Sequence, residues 1–397
     1  MERKGINRRN FLRLSATIGA GALLAPEAAA SALNNSDIPA DRPKIPVRTL
    51  GRTSIQVPIL SMGVMRADNP NVVRAAYNSG VFHFDTAHGY QNGKNEEMLG
   101  NFFEDKPRDS FCIATKIGIR YPLDDNFEKD LNDKIELSLQ RLKMDYVDIF
   151  YLHALRGVPE INDERVMAAV KKIKDEGKAH FIGFSTHALK PEQIHAAVDA
   201  GIYDVILLSY NFKLKNLTET DEAIERAAKA GVGVIAMKTM TGAKEDADGK
   251  KRVNAQACLK WAWQNPNIAT AIPGFSNYDE LDECLAAAQE PALTSGEQEY
   301  LASLLDKEML FCQRCDACKT QCTNKLPVPE IMRAYMYAYG YQYARQAKDT
   351  LLELNLAQTD VCAGCSSCKV SCPSGFDVAK KIASVMPVMN VPDVFLS

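Results

Sequence analysis

The sequence predicts a (β/α)8 TIM barrel, an α/β fold, followed by a cysteine-rich and mainly α-helical C-terminal domain. Three observations predict it. From about residue 57 to residue 276, short β-rich runs alternate with amphipathic helical runs, the signature of repeated βα units. Eight strand runs can be placed, at 59–66, 81–87, 111–118, 147–153, 179–185, 205–211, 233–240 and 268–274, across about 230 residues, the size of such a barrel. Eight of the 11 cysteines then crowd between Cys312 and Cys372. An open doubly wound sheet is the alternative, but it needs a topological switch and usually a glycine-rich first turn, and neither is found.

Taken in order, the chain opens on NRRNFLRLS, residues 7–15, with Arg8-Arg9 ahead of Phe11-Leu12. An acid-free apolar run, Leu14 to Leu24, follows, and then Ala28-Ala29-Ala30 or Ala30-Ser31-Ala32 as peptidase sites. Residues 1–32 therefore read as a twin-arginine signal peptide, with the twin-arginine translocase as a transient partner and a periplasmic or otherwise exported destination. The apolar run is too short for a permanent bilayer span, and no other stretch approaches that length. Residues 33–46 read as a linker, 47–290 as the barrel and 291–397 as the C-terminal domain. Two barrel helices are well marked: 130–142 puts Leu131, Ile135, Leu139 and Leu142 on one face, and 163–174 repeats the pattern. After Pro291 comes a helix over 295–310, and a longer one over 329–354 carries tyrosines at 335, 337, 339, 341 and 343. A formal net charge of −3 with 24% charged residues gives no nucleic-acid footprint.

In a barrel of this kind, chemistry sits at the C-terminal ends of the strands. Those ends here carry Asp85 in FHFDTAHGY, Tyr90 just beyond it, Lys116 in IATKIG and His153 in IFYLH. A buried ammonium beside a phenol favours the phenolate and draws its pKa from about 10 toward neutrality, while a carboxylate holds the lysine charged. The histidine can orient or polarise a carbonyl oxygen. Each alone is more often a satisfied structural residue; the four together form a proton-transfer set.

In that order the four residues resemble the catalytic tetrad of the aldo/keto reductases. RTLGRTSIQVPILSMG (48–63), NEEMLG (95–100), GFSTH (183–187) and AIPGFSNYDELDE (271–283) extend the likeness over roughly residues 47 to 288. The resemblance implies hydride transfer between a nicotinamide cofactor, NAD(P)(H), and a small-molecule carbonyl or alcohol substrate. Tyr90 would be the general acid in the reducing direction, tuned by Lys116 and Asp85, with His153 placing the carbonyl. It also implies cofactor contacts from Ser185, Thr186, Asn211, Lys238, Gly274, Ser276 and Glu283. The sequence departs from the family pattern at Leu207, where a glutamine is usual, at Met237, where an aromatic ring stacks on nicotinamide, and at Gly274 and Glu280, where a lysine and an arginine grip the 2′-phosphate. A carboxylate there suits a free ribose hydroxyl, so NAD and NADP both stay open.

The cysteine runs share one spacing, C-x2-C-x2-C-x3-C: Cys312, Cys315, Cys318, Cys322, and then Cys362, Cys365, Cys368, Cys372 with Pro373 behind the last. Three thiolates so spaced can wrap a cubane's corner, the fourth reaching the same or the partner cluster, so two 4Fe-4S clusters are expected. A disulfide framework or zinc are the alternatives. This segment resembles a two-cluster ferredoxin module of the helical kind, and aldo/keto reductases with such C-terminal motifs form a recognisable subgroup. Thr323 follows Cys322 where that pattern has proline. The expectation is an exported oxidoreductase in which clusters relay electrons to a redox partner protein. Its alternatives are an electron-transfer protein using the barrel as scaffold, and an ordinary reductase with structural clusters.

Overall fold

The computed structural model describes residues 45–187, 190–241, 253–305, 312, 314, 317–356, 361–362, 365, 367–373 and 375–396. The signal-peptide expectation at 1–32, nearly all of the linker and Cys315 lie outside the described residues. The chain divides into two units, one running to Thr239 and resuming over Ala255–Ala302, the other comprising Met240–Asn254 and Ser303–Ser397.

The first unit is the expected α/β barrel. A hairpin, β1 (Val47–Thr49) against β2 (Gln56–Pro58), precedes eight parallel strands: β3 (Met62–Gly63), β4 (His83–Asp85), β5 (Cys112–Ile117), β6 (Val147–Leu155), β7 (Ala179–Thr186), β8 (Val205–Ser209), β9 (Gly233–Met237) and β10 (Thr270–Ala271). Spatial order follows chain order, β10 through β3, and the edges meet. Ser61 N–H donates to Ala271 O at 2.9 Å, Ala271 N–H to Ile59 O at 2.9 Å and Gly63 N–H to Pro273 O at 3.0 Å.

Between the strands run α1 (Pro70–Asn78), α2 (Lys94–Phe103), α3 (Phe127–Leu142), α4 (Val158–Asn162), α5 (Glu164–Asp175), α6 (Lys190–Ala200), α7 (Leu217–Lys229), α8 (Ala255–Trp263) and α9 (Tyr278–Gln289), with α10 (Ser295–Leu304) beyond the barrel. On α3 the expected stripe of Leu131, Ile135, Leu139 and Leu142 is buried. α5 starts where Asp163 accepts the Arg165 N–H at 2.9 Å, an N-cap that satisfies an otherwise orphaned donor. Barrel closure also requires Gly183 on β7: a Cβ there would lie 2.0 Å from Val205 O, so no side chain fits between β7 and β8.

The strand expectations are corrected mainly at the seam. The runs 59–66 and 268–274 pair regularly only over Met62–Gly63 and Thr270–Ala271, with one isolated bridge between Leu60 and Ala271. Composition marks apolar residues, whereas pairing length is set by strand tilt at closure.

The second unit is mainly helical, as expected, with α11 (Val328–Tyr335), α12 (Ala344–Leu352) and α13 (Val378–Val385). The single helix expected over 329–354 is corrected. It breaks after a π turn at Met336–Gly340, and Gln342 takes a positive φ of 52°. Gly340 costs helix propensity there, and the turn folds α12 back on α11 so that both bury their apolar faces.

Candidate active site

Period-two alternation turns one face of each strand into the barrel interior. On β5, Cys112 and Ala114 belong to the interior core together with Ile149 and Tyr151 of β6, Leu207 of β8 and Ile235 of β9. Lys116, two residues past Ala114, rises from the same face and donates to Asp85 Oδ1 at 2.5 Å and to Thr86 O at 2.5 Å. Lys116 is 2% exposed and Asp85 3%. Burial pushes the carboxyl up and the ammonium down, and each charge partly restores the other.

Tyr90 opens a short 3-10 turn, Tyr90–Gly93, in which Gln91 and Asn92 have φ of 51° and 54°. Its ring faces the Lys116 ammonium, 4.9 Å from Nζ to centroid, and meets His153 edge to face at 5.8 Å. The structure thus brings Asp85, Tyr90, Lys116 and His153 together.

The loop that presents Tyr90 is held from beneath by residues whose role the sequence did not disclose. Asn95 donates to Val64 O at 2.8 Å and Ala67 O at 3.1 Å and accepts from Thr86 Oγ1 at 2.6 Å. Glu96, wholly buried, accepts from Thr115 Oγ1 at 2.7 Å and from Arg141 at 3.2 Å, and Arg141 also donates to His88 O at 3.0 Å. The signal lay in NEEMLG: an amide and a carboxylate on the inner face of an amphipathic helix need buried partners.

The expected cofactor contacts are less uniform. Ser185 Oγ accepts the Ala154 N–H at 2.8 Å, holding the residue after His153 at a φ of 59°. Thr186 is wholly buried and donates to Gln193 Oε1 and to Leu155 O, which ties β7 to α6. Asn211 donates to Lys238 O at 3.2 Å, and Lys238 itself has a positive φ of 55°. Gly274 is exposed beside Ser276, whose hydroxyl accepts from Arg66 at 3.1 Å. Glu280 accepts from Ser276 N at 2.8 Å while Asn277 caps its own N–H at 2.9 Å, a reciprocal arrangement that starts α9. Glu283 accepts the Ala255 N–H at 3.4 Å. Leu207, in place of glutamine, is core.

His83, two residues before Asp85, is wholly buried, and among the described residues neither ring nitrogen has a hydrogen-bond partner. Burial first and Lys116 second push its pKa down to about 3. Unfolded, the imidazole takes its proton near pH 6.5. Between those values the unfolded chain holds the extra proton, so stability falls as pH drops from about 6.5 toward 3, by roughly 1.4 kcal/mol per unit. Urea denaturation at pH 7 and pH 5 should show this loss in the wild type and a smaller one in His83→Gln. Equal losses would refute the assignment.

In the second unit, Cys312, Cys318, Cys322, Cys362 and Cys372 all pack against the core of Val328, Ile331, Leu351 and Ile382. The two cysteine runs are tied across the chain: Asn324 donates to Val361 O at 3.0 Å and Ser371 N–H to Gln321 Oε1 at 2.7 Å. Between them lies a cavity of about 250 Å³ whose lining includes Cys322, Cys362, Cys365 and Cys368 with Leu326 and Ile382. Among the described residues no three His, Cys, Asp or Glu side chains gather closely enough for a single metal ion. Arg314 and Glu330 form a buried ion pair at 2.9 Å beside this core.

Eight parallel strands with a lysine–carboxylate pair, a phenol and an imidazole at their C-terminal ends define a barrel oxidoreductase. Comparison with known proteins shows what the chain is similar to. Residues 61–248 match the model of the aldo/keto reductase family. L-galactose dehydrogenase of Arabidopsis thaliana is 28% identical over 301 residues, covering 66% of this chain and 93% of that protein. D-threo-aldose 1-dehydrogenase of a Pseudomonas species is 27% identical over 194 residues, covering 42% and 57%. An aldo-keto reductase of Bacillus halodurans, solved in its holo form, superposes with a TM-score of 0.54 at 19% identity, over 68% of this chain and all of that one. The chain is an oxidoreductase of the aldo/keto reductase type. No described helix is long and apolar enough to cross a membrane.

Proposed function

We propose that the chain is an exported aldo/keto reductase-type enzyme that oxidises an aldose, or reduces the corresponding carbonyl, and carries two 4Fe-4S clusters. The observation that carries the catalytic half is the buried Lys116–Asp85 pair under the Tyr90 ring. A nicotinamide, when bound, would give or take the hydride. Ser185, whose hydroxyl can still donate, and Asn211 at the next strand end offer hydrogen bonds suited to a carboxamide. Ser276 and Lys238 offer polar groups for phosphate or ribose. Tyr90 gives its phenolic proton to the carbonyl oxygen in reduction and takes it back in oxidation. Lys116 stabilises the resulting phenolate, Asp85 keeps Lys116 charged, and His153 holds the reacting oxygen. Two curated relatives named for aldose substrates support the substrate class.

The cavity supports the clusters. Its thiol set joins three cysteines of the second run to Cys322 of the first, the sharing that this spacing produces in two-cluster ferredoxins. Cys312, Cys315, Cys318 and Cys372 remain for the second cluster. Held there by these thiolates, two one-electron clusters would supply a route for the two electrons of a hydride to a redox partner. Export by the twin-arginine route suits this assembly, since clusters are inserted in the reducing cytosol before the folded protein leaves.

Denaturing the purified protein and identifying released nucleotide by mass spectrometry tests the cofactor, and aldose turnover with added NAD or NADP tests the reaction. Released nucleotide and reduction of either cofactor by an aldose are expected. Neither result with any aldose would remove this function.

A further inference from the structure

Three polar groups stand inside the barrel directly beneath Lys116 with no use in the chemistry so far described. They are Tyr151 Oη, Asp85 Oδ2 and the ring nitrogens of His83, all in residues at most 3% exposed and all without a hydrogen-bond partner among the described residues. Buried polar atoms are rarely left so, and the cost of an unmade bond is about 1–3 kcal/mol each.

Strand register explains their proximity. His83 lies opposite Cys112 and Asp85 opposite Ala114; on the next strand Ala114 lies opposite Ile149 and Lys116 opposite Tyr151. Asp85 and Tyr151 therefore flank β5 from either side, one inward step apart in register, with Ala114 opposite Asp85 and Lys116 opposite Tyr151 on the strand between them. One of the pair can only accept and the other brings a donor. Burial, and after it the charge of Asp85, pushes the Tyr151 phenol well up, so Tyr151 keeps its proton.

We infer that the Tyr151 hydroxyl donates to the remaining Asp85 oxygen through one enclosed water, and so acts as a positioning residue for the Asp85–Lys116 pair. Asp85 is then clamped on both oxygens, by Lys116 from above and by Tyr151 from across β5. The charged and titratable groups facing this pair are Lys116 and Cys112 on β5, His83 on β4, Tyr151 on β6, Glu96 on α2 and Tyr90 above. His83 is kept neutral, so it adds no competing charge.

A donor bonded to the ionised carboxylate lowers its pKa, and deleting the donor raises it. Carbon-13 NMR titration of the Asp85 carboxyl in the full-length protein should therefore show a midpoint about one unit higher in Tyr151→Phe than in the wild type. An unchanged midpoint overturns the inference. Tyr210→Phe, a buried tyrosine bonded instead to Asp221 at 2.7 Å, should leave it unmoved. Should Tyr151→Phe fail to fold, the ring-carbon shift of Tyr151 in the wild type serves instead: it must follow the Asp85 titration, and a flat response overturns the bond. The catalytic consequence rests on the function proposed above. Tyr151→Phe should move the ionisation governing kcat/KM for aldose oxidation upward while KM changes little. A shifted carboxyl midpoint with an unshifted rate profile would leave the hydrogen bond standing and overturn the positioning role.

Discussion

Tyr90→Phe is expected to lower kcat by about 10²–10⁴-fold, the range for losing one general acid–base group, with the melting temperature nearly unchanged. The phenol is half-buried at the barrel mouth, and its ring packing on Lys116 and His153 survives the loss of the hydroxyl. Lys116→Met is expected to differ in kind. It also abolishes turnover, but it leaves the wholly buried Asp85 without its cation, which costs about 3–5 kcal/mol of stability. Rate assays beside thermal melts separate the two effects. A Tyr90→Phe enzyme that keeps its rate would assign the proton to another group, and an undiminished melting temperature for Lys116→Met would mean that Asp85 is neutral in the folded protein.

The second large effect concerns iron. Because Cys322 shares a cavity with Cys362, Cys365 and Cys368, Cys322→Ala and Cys365→Ala are expected to cost the same cluster. Each alone should remove about half of the iron, and the double variant no more than either. Cys318→Ala combined with Cys365→Ala should remove nearly all of it, since the proposed partition gives those residues to different clusters. Iron analysis with electron paramagnetic resonance on the four proteins decides the matter. Additive losses for Cys322 and Cys365 would place Cys322 with its own run, and intact spectra in every variant would return the cysteines to a structural role without iron.

Much of the candidate site's placement was legible because it rests on periodicity. Asp85, Lys116 and His153 stand at the ends of apolar runs whose alternation sets their direction, and Tyr90 follows within one turn. The support beneath them was not legible in the same way. Glu96 and Arg141 are 45 residues apart, and nothing local tells that they meet under His88. His83 and Tyr151 read as strand residues of unremarkable type; only the barrel's register shows that they are sealed around Asp85. Glu280, expected near the ribose, spends its carboxylate on Ser276 at the start of α9, a use visible in retrospect from the N-x-x-E spacing at Asn277.

In the C-terminal unit, the repeated cysteine spacing by itself determined that thiols would be presented in two matched sets, since three gaps held in common are a local property of the chain. The partition of those thiols was decided by tertiary structure alone. Cys322 and Cys362 are 40 residues apart, and only the fold-back of α12 on α11 brings the end of one run beside the start of the other. The same division holds for the barrel. Alternation along a strand determines which residues face inward, but which inward residues touch depends on closure and register, and those are set by the whole sheet at once.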